Sequence, residues 1–195
     1  LDSIKQLPDQ CKQAWREISS IDFPSQYLDI SNVVISGMGG SSYGARIIKS
    51  LYAQFLKVPV ELSNNYELPS FVSEKTLVIL SSYSGTTAET LTAAAVAKEK
   101  QTLISGITSG GKLGEFLKLN NYSSYIFNPV HNPSKQPRIG VGYMVIGLMG
   151  LLAKLGVITL DLVEIENLIS FLKEKTTNFA EYPSKDNLAK QLAIK

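Results

Sequence analysis

The sequence predicts a doubly wound α/β domain: a five-stranded parallel sheet of order 2-1-3-4-5, flanked by helices on both faces. Three observations predict it. Short apolar or β-branched runs alternate with helix-length segments along most of the chain, the pattern of successive right-handed β-α-β crossovers. Two of the strand-to-helix turns, after the first and third runs, are dense in glycine and hydroxyl side chains. Finally, 195 residues with 44% apolar and 18% charged residues are enough for one packed core burying roughly 70% of the unfolded chain's surface.

The elements follow in order. Ile4, Leu7, Cys11, Trp15 and Ile18 stand at helical spacing and predict an amphipathic helix over residues 3–19, regular from about Pro8. Phe23, Pro24 and Tyr27 form a connector packing under the sheet. Residues 32–36 (NVVIS) are a strand, followed by GMGGSS and a helix to about Phe55. Residues 58–62 and 76–80 are the second and third strands, and the long loop between them has a helical turn near 69–72. SSYSGTTAET then opens a helix over 86–100, residues 102–107 are the fourth strand, and TSGG leads into a helix over 113–119. Residues 124–127 are the fifth strand.

Residues 137–156 predict a strongly apolar helix with Pro137 at its first position. It is too short and too interrupted by glycine for a membrane span, so a core or subunit contact is expected. Residues 160–179 predict one more packed helix, EYPSK a linker, and 187–195 the start of another helix. A boundary near Ser184 is expected, dividing a domain of residues 1–183 from a linker and the beginning of a second domain at 184–195.

Composition narrows the function. A net charge of +2 gives no footprint for nucleic acid or an anionic membrane. One cysteine and one histidine exclude an internal disulfide framework, a cysteine-based metal site and a multi-histidine cluster. Residues 1–15 have no uninterrupted apolar segment of signal-peptide type, so a cytoplasmic setting is the expectation.

Position makes the functional argument. In a sheet of this order the ligand crevice lies at the carboxyl ends of strands one and three, where the winding reverses. The turns that fall there are GMGGSS and SSYSGTTAET. Small hydroxyls around a glycine, feeding a helix N-terminus with its free N–H groups and positive dipole end, suit a phosphate. If Ser84 or Thr87 only capped the helix, one hydroxyl would suffice, whereas the stretch carries several. Arg138, a cation at the end of a helix that prefers anions, is placed at a cost unless an anion is near.

GMGGSS, YELP (Tyr66 to Pro69), SSYSGTTAET and PRIGVGY together resemble the sugar isomerase (SIS) domain, and more narrowly the amino-terminal SIS domain of bifunctional phosphoglucose/phosphomannose isomerases. The resemblance implies a flavodoxin-like SIS fold and a site for a phosphorylated hexose. It implies phosphate contacts from Ser82, Ser84 and Thr87, sugar contacts from Gly39, Gly40 and Ser41, and a catalytic Arg138 facing the reacting carbons. The family's usual Asn after SG is Thr86 here. The activity implied for the full-length protein is interconversion of glucose 6-phosphate or mannose 6-phosphate with fructose 6-phosphate through a cis-enediolate. That step needs no metal and no organic cofactor. The family's glutamate base and ring-opening histidine belong to a second SIS domain, so this chain alone is expected to be inactive, and the full-length protein is expected to be a homodimer. His131 matches no catalytic motif and is expected to be a surface or loop residue.

Two other classes compete. A sugar-phosphate-sensing regulatory SIS module would have the same two loops without catalysis. A dinucleotide-binding enzyme is suggested by Gly37, Gly39 and Ser42, which approach GxGxxG, and by Glu61 at the end of the second strand. Ser42 in place of the third glycine weighs against it, and SSYSGTT would be unexplained.

Overall fold

Val33, Val34 and Ile35 are all fully buried, which a strand achieves only when both faces of its sheet are covered. The computed structural model describes residues 2–181 and 187–194. In it, β1 (Asn32–Gly37) lies between β2 (Val60–Ser63) and β3 (Thr76–Ser81), all parallel. β4 (Leu103–Thr108) extends the sheet from β3 and the two-residue β5 (Tyr125–Ile126) closes it, giving the expected order β2-β1-β3-β4-β5.

Successive side chains of each strand enter different cores. Val33, Ile35, Leu77 and Ile79 pack into the larger one, and Val34, Val78, Leu80 and Ile104 into the smaller. The smaller core is closed by α4 (Ala88–Glu99) and α5 (Gly111–Leu119). The larger is filled by α3 (Tyr43–Leu51) and α6 (Val141–Lys154), over which α2 (Leu7–Ser19) lies. α7 (Leu162–Glu181) packs on α2. The apolar helix is therefore a core element: α2 covers the face that the sheet does not. No helix among the described residues is long and apolar enough to cross a membrane.

Several boundaries differ from expectation. The apolar helix begins at Val141, not Pro137, because residues Pro137–Ile139 form a 3-10 turn and Gly140 passes against the ring of Tyr83. Any Cβ at Gly140 would stand 2.1 Å from Tyr83 Cε2. α3 ends at Leu51, since the carbonyl of Tyr52 takes the N–H of both Phe55 and Leu56 and turns the chain so that Leu56 and Val58 reach the core. The first helix is divided into α1 (Asp2–Lys5) and α2 at Gln6. The turn expected near 69–72 is one hydrogen bond, Val72 N–H to Pro69 carbonyl at 3.1 Å. α8 (Leu188–Ile194) follows Asn187, whose side-chain amide donates to the carbonyls of Asn178 and Phe179. The expected boundary near Ser184 lies outside the described residues.

Candidate functional site

The glycine turn after β1 is shaped by close packing. Gly37 runs so near β3 that a Cβ there would sit 2.8 Å from the Ser81 carbonyl oxygen, and Gly39 adopts φ +52°, a conformation glycine takes without penalty. Residues Gly39–Ser42 then make a 3-10 turn in which the Ser42 hydroxyl donates to the Gly39 carbonyl at 2.8 Å. From the β2–β3 loop, Asn64 donates to the Gly37 carbonyl and accepts from Arg46 Nη2 at 3.0 Å. Two bonds stitch this turn to the serine loop: Ser81 Oγ donates to the Ser41 carbonyl at 2.7 Å, and the Tyr83 N–H donates to Ser41 Oγ at 3.1 Å.

The serine loop after β3 is braced from behind by the loop after β4. Ser109 donates to the Tyr83 carbonyl through both its N–H (2.9 Å) and its hydroxyl (2.8 Å), and the Leu113 N–H donates to the Gly85 carbonyl at 2.9 Å. Gly85 has φ +67° and lies so close to Gly110 that no side chain fits between them. Ser82 is buried; its Oγ accepts the Gly85 N–H at 3.1 Å and pairs with Thr87 Oγ1 at 2.8 Å. Ser84 is exposed, with its Oγ 3.0 Å from Thr86 Oγ1 and accepting the Thr86 N–H at 3.3 Å.

Thr87 is the N-cap residue of α4 but makes no side-chain cap bond, because its hydroxyl is turned to Ser82. The first-turn N–H groups of α4 therefore have no hydroxyl cap. A helix end left in this state attracts an anion through its donors and its dipole together.

The third wall is the 3-10 turn at Pro137–Ile139. Its Arg138 lies over Gly40, where a Cβ would be 3.6 Å from Arg138 Cγ. The guanidinium is exposed and has no ion pair or hydrogen bond among the described residues. Gly40, Ser41, Ser84, Thr87 and Arg138 line one cleft of about 320 Å³, with Met38, Tyr83, Gln136 and Pro137 completing its walls. Arg138 is the one ionised group in that lining among the described residues. The Tyr83 phenol is held above its ordinary range by burial, partly offset by the Asn132 amide that donates to its oxygen at 2.7 Å.

Of the seven residues singled out from sequence, five meet in the cleft. Ser82 stands behind Thr87, and Gly39 supplies the bend that presents Gly40 and Ser41. Tyr83, Gln136 and Met38 were not singled out; Tyr83 sits inside SSYSGTTAET, and its alternation with Ser82 and Ser84 was the available signal. Gln10 and Asn132, which hold the Arg138 turn, gave no signal because polar residues on a helix or loop read as solvated. His131 is a half-buried loop residue whose backbone is hydrogen-bonded to Tyr143 and Gln10. Glu61 is paired with Lys49 at 2.8 Å, and neither it, Glu67 nor Glu89 lines the cleft. A larger groove of about 630 Å³ between α3, α6 and α7 is lined by Leu51, Phe55, Met149, Leu168 and Phe171 with the Glu164 carboxylate, an unsuitable surface for a phosphate.

Comparisons with known proteins bear on the family and the fold. Residues 26–115 match the SIS domain family. The bifunctional phosphoglucose/phosphomannose isomerase of Caldicellulosiruptor bescii is 39% identical over 196 aligned positions, covering 100% of this chain and 56% of the relative. This chain thus spans about half the length of that curated relative. Among solved structures, a Methanococcus jannaschii protein with an inferred 3-hexulose-6-phosphate isomerase function superposes with TM-score 0.56 at 21% identity, over 90% of this chain and 97% of the other. The Vibrio vulnificus NanR protein, complexed with ManNAc-6P, superposes with TM-score 0.54 at 14% identity, over 90% and 69%. β1, β3 and both hydroxyl loops fall inside the residues 26–115 that match the SIS domain family.

Proposed function

We propose that this chain is the sugar-phosphate-binding half of an aldose–ketose isomerase that interconverts glucose 6-phosphate or mannose 6-phosphate with fructose 6-phosphate. One observation carries the reading: Ser84, Thr87, the uncapped start of α4 and the unpaired Arg138 face one cleft at the sheet's switch point. In it, Ser84 and Thr87 donate to the phosphate, and Ser82 orients Thr87. If Ser82 donates to Thr87 Oγ1, the Thr87 hydroxyl hydrogen is left to donate to a phosphate oxygen. Gly40 and Ser41 run along the sugar, presented by the bend at Gly39. Arg138 supports the charge that develops on the oxygens of a cis-enediolate as a proton moves between C1 and C2. The relative from C. bescii supports the substrate class. In the full-length protein the proposed state is a cytoplasmic homodimer.

A second reading is favoured by one feature: no acid and no histidine lines the cleft among the described residues. A sensing module that binds phosphosugar without turnover has the same walls. Titration calorimetry with glucose 6-phosphate, fructose 6-phosphate, mannose 6-phosphate and inorganic phosphate tests the shared part. Binding of the phosphosugars, weakened by substitution of Ser84, is expected. Silence toward all four would remove both readings, and enhancement of NADH fluorescence would point to a dinucleotide instead.

A further inference from the structure

Gln10 is 0% exposed, in a position on α2 where an amide has to find every partner inside the protein. Its Nε2 donates to the carbonyls of Ile139 and His131, both at 3.0 Å, and lies 3.3 Å from that of Ser3. Its Oε1 accepts the Gly142 N–H at 3.2 Å. Three of these partners belong to the segment carrying Arg138, and two of them, Ile139 and Gly142, bracket the junction where the 3-10 turn passes into α6. The approach is tight: a Cβ on Gly142 would be 2.7 Å from Gln10 Cβ. On the cleft side the same segment is tied once more. The buried Asn132 donates to the Gln136 carbonyl at 2.9 Å and to the Tyr83 hydroxyl, joining the strap to the serine loop.

A turn of three residues has little rigidity of its own, because its hydrogen bonds are few and poorly aligned. Held only by Ile139 N–H to Gln136 and Gly140 N–H to Pro137, it would leave an exposed arginine to sample many positions. A cation stabilises a bound anion more effectively when the backbone that carries it is held in place in advance.

We propose that Gln10 is a positioning residue for Arg138: it fixes the strap from behind, so that the Arg138 backbone and the base of its side chain are held over Gly40 and the guanidinium reaches the cleft from a set origin. The inference rests on the phosphosugar reading of the cleft. It assigns a ligand-binding role to a residue on a helix that contributes nothing to the cleft wall.

A double-mutant cycle tests it, with glucose 6-phosphate affinity measured calorimetrically on the protein, Gln10→Met, Arg138→Ala and the double variant. Gln10→Met should weaken affinity about 3- to 10-fold in the parent and less than about 2-fold in the Arg138→Ala background, since coupled residues are non-additive. Equal losses in both backgrounds, or none in the parent, would overturn the proposal. Should Gln10→Met not fold, Gln10→Glu keeps the shape and the acceptor for Gly142 while removing the donors, and the same cycle is run with it. Hydrogen exchange gives a readout that general loosening would not. Amides 139–142 should exchange faster in the Gln10 variant while those of residues 82–87 do not change, and uniform acceleration of both would count against it. A parent protein that binds no phosphosugar would instead be a failure of the cleft reading, visible before any variant is made.

Discussion

At the scale of single residues, the loops separate hydroxyls that only hold the turn, such as Ser82, from hydroxyls that line the cleft, such as Ser84. Ser84→Ala should weaken glucose 6-phosphate binding about 10- to 100-fold, because a hydrogen bond to a charged group is worth about 1.5–3 kcal/mol. Its stability should fall by under about 1 kcal/mol, since the exposed Ser84 hydroxyl bonds only within its own turn. Calorimetric titration beside urea unfolding checks both, and normal binding with a large stability loss would make Ser84 structural. A second residue-scale effect concerns pH. Burial pushes the Cys11 thiol from its ordinary 9.0 up to about 12, and the Tyr27 and Tyr143 phenols from 10.0 up to about 12. Between those values the unfolded chain has released protons that the folded chain keeps, so stability is full below pH 9 and declines as pH rises toward 12. The urea midpoint should drop between pH 8 and pH 10.5, and a rise would contradict the burial of these groups. Ser84, Thr87 and Arg138 were legible in the sequence because glycine turns, hydroxyls before a helix and an isolated cation are local signals. Gln10 was not, since its partners at 139 and 142 are brought to it only by tertiary packing.

At the scale of elements, strand order and the buried helix follow from period and run length, whereas boundaries are decided by neighbours. The long apolar run could be read as one helix from Pro137, but the Tyr83 ring and the acceptor on Gln10 place the helix start at Val141. The break at Gln6 and the early end of α3 have the same character: a turn that serves packing overrides a continuous helical pattern. Leu148, 1% exposed within α6, probes the core assignment. Leu148→Lys should destabilise by about 4 kcal/mol or more, because a charge is buried with no partner, and most of the protein should unfold at ordinary temperature. A folded monomer by circular dichroism and light scattering would reject it. Gly85→Ala probes the loop pair. With φ +67° and a Cβ only 1.8 Å from the Gly110 carbonyl, the serine and β4 loops must separate. Phosphosugar affinity should fall at least about 10-fold while the far-UV spectrum is retained.

For the whole molecule, binding and turnover are separable, and the cleft says which should survive in this chain alone. Its walls supply hydroxyls, helix N–H groups and one guanidinium, all suited to holding an anion and to stabilising an oxyanion. Moving a proton between adjacent carbons needs in addition a base within hydrogen-bond reach of both, and such a base is typically worth 10²- to 10⁴-fold. The acids nearest in sequence are committed elsewhere. Lys49 holds the Glu61 carboxyl below its usual range, Glu67 lies along the β2–β3 loop, and Glu89 sits in the first turn of α4 where it complements the helix dipole. The 195-residue chain should therefore bind glucose 6-phosphate weakly and show no isomerisation above background in an assay coupled to glucose 6-phosphate oxidation. Adding the part of a relative such as that of C. bescii that this chain does not cover, in trans or fused, should give turnover if the isomerase reading is right. It should give none if the cleft is a sensor. Turnover by the chain alone at about 1 to 10³ per second would show that a base has been overlooked. Glu67 and Glu61 would then be the first carboxylates to replace with glutamine, because they lie on the β2–β3 loop and on β2, next to the strand whose turn forms the cleft.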